Sequence, residues 1–222
     1  LGDVYKRQNN IRRLIRDRKG KIWIATGEGI AYVDSQSGKI VRPEFCSALA
    51  HLSVNTLKED SEGNIWVGTN NGVYVINDSI DKLQNLTLTI DSDVDFNVNF
   101  IDTDREQHVW IGSNMGFYIF YHPTTHQIFQ TPPALESQSY SYHSVLGFFA
   151  IDPQNHLWIN DTKDTYVLDV EGNHWDREIH VTRNTDGKSI LFSKEGEVYI
   201  GTRWGGGSVS YTHLTLPTIL LV

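Results

Sequence analysis

A short motif recurs five times along the chain, and this repetition constrains the fold more than any other feature of the sequence. In each copy an apolar stretch leads through a polar turn to an aromatic residue with apolar neighbours. The aromatic residues are separated by 43, 44, 48 and 41 residues, and they are Trp23, Trp66, Trp110, Trp158 and Tyr199. A period of roughly 40–50 residues that holds about four short strands is typical of β-propeller blades.

Other positions keep a constant distance from these aromatic residues. Six residues before them come Asp17, Asp60, Asp104, Asp152 and Ser193, and six residues after them come Gly29, Gly72, Gly116, Asp164 and Gly205. An Asp side chain can accept hydrogen bonds from the amides of a tight turn. Three residues before them come Gly20, Gly63, Gln107, Asn155 and Gly196, where we predict a turn with positive φ. Features that recur in every copy indicate a structural role rather than catalysis.

The repeats predict an all-β fold of about five propeller blades, each with four antiparallel strands, that forms part of a larger propeller. We assign blades to residues 9–47, 48–92, 93–135 and 136–183, and the start of a fifth to 184–208. The fourth strands are predicted at 39–42, 86–90, 127–130 and 178–182. Because a blade needs neighbours on both faces, we expect the end blades to expose apolar strand faces.

The two ends of the chain differ from the repeats. Residues 3–8 (DVYKRQ) and 209–214 (VSYTHL) resemble the two strands of one translated sequencing-adapter sequence. We therefore expect residues 1–8 and 209–222 to be adapter-derived rather than native. The apolar tail at 216–222 is then not a membrane anchor.

Composition argues against several kinds of partner. The net charge is −8, and the one dense group of basic residues spans 12–21, so a nucleic-acid partner is not expected. No apolar run approaches the ~20 residues of a membrane span, and the single Cys46 cannot form an intrachain disulfide. The acidic residues at 91, 93 and 95 lack the Gly and Glu of a calcium loop. We predict no metal and no cofactor.

The segment DSEGNIWVGTNNGVYV, residues 60–75, resembles the repeat of two-component regulator propellers, D-x-x-G-x-I-W-I-G-T followed by two loop residues and G-L or G-V. The first copy matches almost as well, with Ala25 in place of a Gly, whereas Asn160 and Asp164 depart from the pattern in the fourth. In that family the repeats build seven-bladed propellers in the periplasmic sensor region of hybrid histidine kinases. The resemblance therefore implies a periplasmic, ligand-sensing segment, with the other blades as partners and oligosaccharides among its ligands. It leaves both a monomeric and a dimeric parent protein open.

Two sets of loops share one propeller face if the first strand of each blade is the innermost. One set joins strands two and three, and the other leads into the next first strand. Their polar and aromatic residues suit sugar recognition, although such residues are also ordinary in surface turns. The candidate ligand-binding residues are Glu28, His51, Asn70, Asn71, Asn114, Tyr140, Tyr142, His143, Arg203 and Trp204. The stretch 135–143 (LESQSYSYH) is longer than neighbouring loops and is the best candidate for a special role.

We interpret this segment as a binding module and not as an enzyme, because no cluster of acid, base and electrophile occurs outside the repeats. A kinase is implied only for the parent protein. Two alternatives stay open. One is a propeller lyase or hydrolase of the streptogramin-lyase or sialidase type, and the other is a protein-binding propeller scaffold.

Overall fold

The computed structural model describes residues 10–77, 79–86, 97–113, 118–122, 127–130, 148–160, 165–169, 178–182, 187–194, 197–202 and 208–211. The chain divides into two compact units, Leu1–His143 and Ser144–Val222. Every sheet in both units is antiparallel, and its strands pair in chain order. This arrangement confirms the predicted all-β fold of propeller blades.

The first unit contains three four-stranded sheets, named blades 1, 2 and 3 in chain order. Blade 1 consists of β1 Ile11–Arg16, β2 Ile22–Thr26, β3 Gly29–Val33 and β4 Ile40–Val41. Blade 2 consists of β5 Val54–Glu59, β6 Ile65–Thr69, β7 Gly72–Asn77 and β8 Lys82–Asn85. Blade 3 consists of β9 Val98–Thr103, β10 Val109–Ser113, β11 Tyr118–His122 and β12 Gln127–Gln130. A 3₁₀ helix, Glu44–Leu49, connects blades 1 and 2.

The second unit contains blade 4 with four strands and blade 5 with three. Blade 4 consists of β13 Phe148–Ile151, β14 His156–Asn160, β15 Thr165–Asp169 and β16 Glu178–Thr182. Blade 5 consists of β17 Gly187–Phe192, β18 Val198–Thr202 and β19 Ser208–Tyr211. The indole of Trp158 packs against the ring of Phe192 with centroids 5.7 Å apart, which joins the two blades.

The predicted fourth strands agree with the structure in blades 1, 3 and 4, but the prediction of 86–90 in blade 2 is wrong. The strand lies at Lys82–Asn85 instead. The chain reverses earlier than expected because Asn77 nucleates a turn, in which its carbonyl accepts from the amide of Ile80 (3.3 Å) and its side chain from that of Ser79 (3.1 Å). Asp81 completes the turn with a φ of 50°.

The turn between the first two strands of a blade is held by its Asp. In blade 1, Oδ1 of Asp17 accepts a hydrogen bond from the amide of Lys21 (2.8 Å), and Oδ2 accepts one from Nε1 of Trp23 (2.9 Å). The corresponding tryptophan donates to the corresponding Asp in blades 2, 3 and 4, at 2.8, 3.0 and 2.8 Å. The carboxylate therefore satisfies the indole N–H, which is otherwise a buried polar group without a partner.

Positive φ at the turn is confirmed wherever the structure describes it. The φ angle is 84° at both Gly20 and Gly63, 67° at Gln107 and 75° at Asn155. Gly196 lies outside the described residues. Non-glycine residues adopt this region at a cost of order 1–3 kcal/mol, so blades 3 and 4 tolerate strain that the glycines of blades 1 and 2 avoid.

In blades 3 and 4 a histidine adds a further contact to the turn. Nδ1 of His108 lies 2.8 Å from Oδ2 of Asp104, and Nδ1 of His156 lies 2.9 Å from Oδ2 of Asp152. Asn64 occupies this position in blade 2 and donates to Asp60 at 3.0 Å. The side chain two residues before the tryptophan thus acts as a second support for the carboxylate.

Acid is expected to weaken blade 4 through Asp152. Burial alone raises the pKa of this carboxyl, but hydrogen bonds from His156 and Trp158 outweigh that effect and hold the pKa below its ordinary value of 3.8. The ionised form therefore stabilises the fold above the unfolded-state pKa, and this contribution is lost as the pH falls through the lower folded-state pKa. Urea unfolding of the wild type and Asp152→Asn should show a stability difference that shrinks below about pH 4. A difference that stays constant from neutral pH into this acid range would contradict the assignment.

The core of the first unit lies between neighbouring blades. Trp23 and Ile30 of blade 1 belong to one buried cluster with Val54, Leu57 and Ile65 of blade 2. The 3₁₀ helix adds Cys46 and Leu49 to this cluster. A second cluster joins blades 2 and 3 through Trp66, Val73, Val98, Ile101 and Val109. Burial of each such aliphatic side chain stabilises the fold by about 1.5–3 kcal/mol, so stability depends on blade stacking.

The free face of blade 1 exposes apolar side chains, as expected for an end blade. Ile11 and Leu14 are both 55% exposed and Ile22 is 39% exposed. The equivalent residues of blade 2 are Val54, Leu57 and Ile65, and none is more than 1% exposed. The same repeat positions are therefore buried when a blade precedes them and exposed when no described blade does.

Candidate functional site

The first strands of blades 1, 2 and 3 lie beside one another, since β1 contacts β5 and β5 contacts β9. This is the arrangement expected if the first strand is the innermost in each blade. Two ends of these strands can then be distinguished. One carries the Asp–Trp turns, and the other receives the connections from the preceding blades.

The turn end of the strands carries ion pairs between blades. Nζ of Lys58 lies 2.5 Å from Oδ1 of Asp102, which links β5 to β9. Nε of Arg18 lies 3.6 Å from Oε1 of Glu59, and its guanidinium also donates to the carbonyl of Ser61 (2.6 Å) and to that of Asp60. Arg18 and Lys58 at this end therefore join neighbouring blades.

The opposite end carries a row of neutral and cationic groups, which we name the polar row and define as Arg12, Ser53, Asn55 and Asn97. Asn55 lies at its centre. Its Oδ1 accepts hydrogen bonds from Nη1 of Arg12 (2.6 Å) and from the hydroxyl of Ser53 (3.2 Å). Its Nδ2 donates to Oδ1 of Asn97 (2.8 Å) and to the carbonyl of Val98 (3.0 Å). One side chain thereby ties three blades together.

The loops between strands two and three reach the same face. The amide of Ser53 donates to Oδ1 of Asn70 (2.9 Å), and the amide of Asn70 donates back to the carbonyl of Ser53 (3.0 Å). In blade 1 the amide of Gly29 donates to the carbonyl of Leu52 (2.8 Å). The expectation that the two sets of loops share one face is confirmed for blades 1 and 2.

Four of the predicted ligand-binding residues lie within the described chain, and all four are exposed: Glu28, His51, Asn70 and Asn71. The amides of Glu28 and Asn71 donate to the hydroxyls of Thr26 and Thr69, at 3.1 and 3.0 Å, so these residues also serve their turns. The rest lie outside the described residues, as does the loop 135–143: Asn114, Tyr140, Tyr142, His143, Arg203 and Trp204.

The residues predicted to be structural are found in the turns and cores of the blades. Asp17, Asp104 and Asp152 are buried, as are Gly29, Gly72 and the tryptophans Trp23, Trp66, Trp110 and Trp158. Asp60 and Tyr199 are half-buried, and Gly116 lies outside the described residues. The hydroxyl of Tyr199 donates to Glu197, since the usual Asp is replaced by Ser193 in this copy.

Sequence reasoning missed Arg12, which it assigned only to a local basic group. The available signal was its distance from Trp23, the recurring aromatic residue of blade 1. Arg12 and Asn55 both lie eleven residues before the tryptophan of their blade, and residues at one repeat position occupy equivalent places in successive blades.

One set of side chains has the composition of a metal site. Ligand atoms of Asp104, Glu106 and His108 lie within 4.8 Å of one another. However, the carboxylate of Asp104 already accepts from the amide of His108 (2.8 Å) and from Trp110 (3.0 Å), and it contacts the imidazole of His108. Those contacts hold the turn in blade 3, and we assign these residues a structural role.

Two segments of the chain, residues 6–28 and 48–71, match the family model described as two component regulator propeller. These two segments are similar to two-component regulator propeller repeats. The matched segments include the Asp–Trp turns of blades 1 and 2 and the connection that holds Ser53 and Asn55. Among curated proteins, none matches the chain significantly.

Solved structures with similar folds include extracellular domains of signalling proteins. One, assigned to a one-component system of B. thetaiotaomicron, is 22% identical and has a TM-score of 0.73 over 92% of this chain and 28% of its own length. Another, assigned to a hybrid two-component system of the same organism, is 21% identical with a TM-score of 0.71, over 91% and 28%. The chain thus spans 28% of the length of each of these two proteins.

A lyase also shares the fold. Virginiamycin B lyase from Staphylococcus aureus is 16% identical, with a TM-score of 0.66 over 93% of this chain and 71% of its own. Within the described residues there is no helix of the length and apolar character that spanning a membrane requires.

Proposed function

We propose that this chain is part of the ligand-sensing propeller of a two-component sensor, that it lies in the periplasm, and that it binds its ligand without transforming it. The matched repeats support the sensor assignment, and the similar extracellular domains support the location. We further propose that the ligand is an oligosaccharide, which binds across the polar row and the adjoining loops with His51, Asn70 and Asn71.

The observation that carries this proposal is the hydrogen-bonded centre of the polar row at Asn55. Its amide is held by Arg12 on one side and by Asn97 on the other, at 2.6 and 2.8 Å. Such support orients polar groups before a ligand arrives, which lowers the entropic cost of binding. The Arg12 guanidinium carries five N–H donors, and its bond to Asn55 uses one. Paired donors and acceptors in fixed positions match the hydroxyl groups of a sugar ring.

Isothermal titration of the full chain with a panel of oligosaccharides tests the proposal. For a sugar that binds, we expect Asn55→Ala to weaken the affinity about tenfold or more, because its loss also releases Arg12 and Asn97. His51→Ala, on the same exposed face, should weaken binding without affecting the fold. Gln84→Ala, on the exposed outer strand β8, is the control and should bind like the wild type.

Thermal melts of each variant separate loss of binding from loss of fold. Failure of every oligosaccharide to bind a folded wild-type chain would overturn the assignment of the ligand. Cleavage of a bound compound during the titration, detected by mass spectrometry, would favour the lyase alternative over the sensor.

A further inference from the structure

The first strand of a blade is interrupted at one repeat position. Pairing with the second strand shifts between Ile11 and Arg13 in blade 1 and between Val54 and Thr56 in blade 2. In blade 3, Val98 and Phe100 pair with adjacent residues of β10, and in blade 5, Gly187 and Ser189 pair with adjacent residues of β18. The skipped residues are Arg12, Asn55, Asn99 and Lys188, each eleven positions before the recurring aromatic residue of its blade. The equivalent residue of blade 4, Gly147, lies outside the described chain.

This interruption is a β-bulge, which leaves one residue out of the ladder and redirects its side chain. In blade 2 the neighbours of the bulged residue point into the core, since Val54 is 0% and Thr56 5% exposed. Asn55 between them is instead half-buried and bonded to polar groups of both adjacent blades. All four bulged residues carry a charge or an amide.

We infer that in blades 1, 2 and 3 the bulge is the device by which the repeat directs one recognition side chain toward the ligand, and that Arg12 makes the polar row selective for oligosaccharides that carry carboxylate or sulfate groups. This inference rests on the proposed function. It assigns Arg12 a direct contact with an anionic group and Asn55 and Asn99 contacts with hydroxyl groups.

The partners of Arg12 distinguish it from Arg18 and Lys58 at the turn end. Arg18 and Lys58 contact the carboxylates of Glu59 and Asp102. The hydrogen bond of Arg12 goes to the amide oxygen of Asn55, and the other members of the polar row are also uncharged. The guanidinium is exposed, and its fork of donors fits a carboxylate or sulfate with two parallel hydrogen bonds.

Calorimetry on the full chain with three probes tests the inference: an oligogalacturonate, a sulfated galactan oligosaccharide and a neutral galactan oligosaccharide of equal length. We expect at least one acidic probe to bind about tenfold or more tightly than the neutral one. The preference should fall as the salt concentration rises from about 50 mM to about 0.5 M. Comparison of the two acidic probes distinguishes a carboxylate site from a sulfate site.

Arg12→Gln should abolish the preference, because binding of the acidic probe falls toward that of the neutral probe, whereas Arg12→Lys should keep much of it. Arg16→Gln is the matched control. It removes the same charge from an exposed arginine of β1 whose guanidinium lies near Gly20, at the turn end of the strand, and it should keep the preference. Equal binding of acidic and neutral probes, or equal losses in both Gln variants, would overturn the inference while the proposed function stands. Failure of all three probes together with the wider panel would reject the oligosaccharide ligand of the proposed function, and the inference with it.

Discussion

Replacement of Asp104 by Ala is expected to lower the free energy of unfolding by about 3 kcal/mol or more. The carboxylate is 3% exposed and accepts hydrogen bonds from Nε1 of Trp110 and from the amide of His108, whose ring also contacts it. Its removal leaves these donors buried without an acceptor, and each such group costs about 1–3 kcal/mol. Urea unfolding followed by tryptophan fluorescence measures the change.

Asp34→Ala provides the matched control for this change. Asp34 also caps a turn, since its Oδ1 accepts from the amide of Ser37 (2.6 Å) and from the hydroxyl of Ser37 (2.7 Å). Those bonds lie at the surface, where water can replace them, so the expected loss is much smaller than that for Asp104→Ala. If the two variants were equally stable, the buried hydrogen bonds of Asp104 would contribute no more to stability than the surface bonds of Asp34.

Gly68→Ala is expected to destabilise the protein by about 1–3 kcal/mol, the usual cost of overpacking a filled core. An added Cβ would lie 2.6 Å from Cγ1 of Val98 and 2.7 Å from Cγ2 of Thr56. Both neighbours are buried and β-branched, so they have little freedom to move. The substitution would otherwise help, because Ala is favoured over Gly in a strand by roughly 0.5–1 kcal/mol.

Gly27→Ala is the control that separates the steric cost of an added Cβ from the general preference for Ala over Gly. A Cβ at Gly27 would have only Cβ of Asn10 nearby, at 3.8 Å, which is an ordinary contact. We expect Gly27→Ala to change the unfolding free energy by less than about 0.5 kcal/mol. A Gly68→Ala variant as stable as the wild type would mean that β6 and β9 can separate without cost.

Prediction from the sequence succeeded where the cause is local and repeated. In each repeat the Asp, the residue with positive φ and the recurring aromatic residue lie within seven consecutive residues. Their spacing therefore predicted the turn, including the positive φ at Gln107 and Asn155. Prediction failed at the fourth strand of blade 2, where the turn at Asn77–Asp81 ends with a non-glycine residue, Asp81, at positive φ, whereas blade 1 has Gly38 at that position. The bond from the tryptophan to the Asp was also missed, since it depends on the direction of a buried indole.

The sequence by itself determined that the chain builds repeated four-stranded blades, because each copy encodes its own turns and its own buried strand. Only the tertiary structure decided which polar residues act together. Arg12 and Asn55 are 43 residues apart and Asn55 and Asn97 are 42 apart, and they meet because successive first strands stack side by side. A bulge that redirects one side chain leaves no mark in the apolar pattern, since the extra residue is defined by its pairing with another strand.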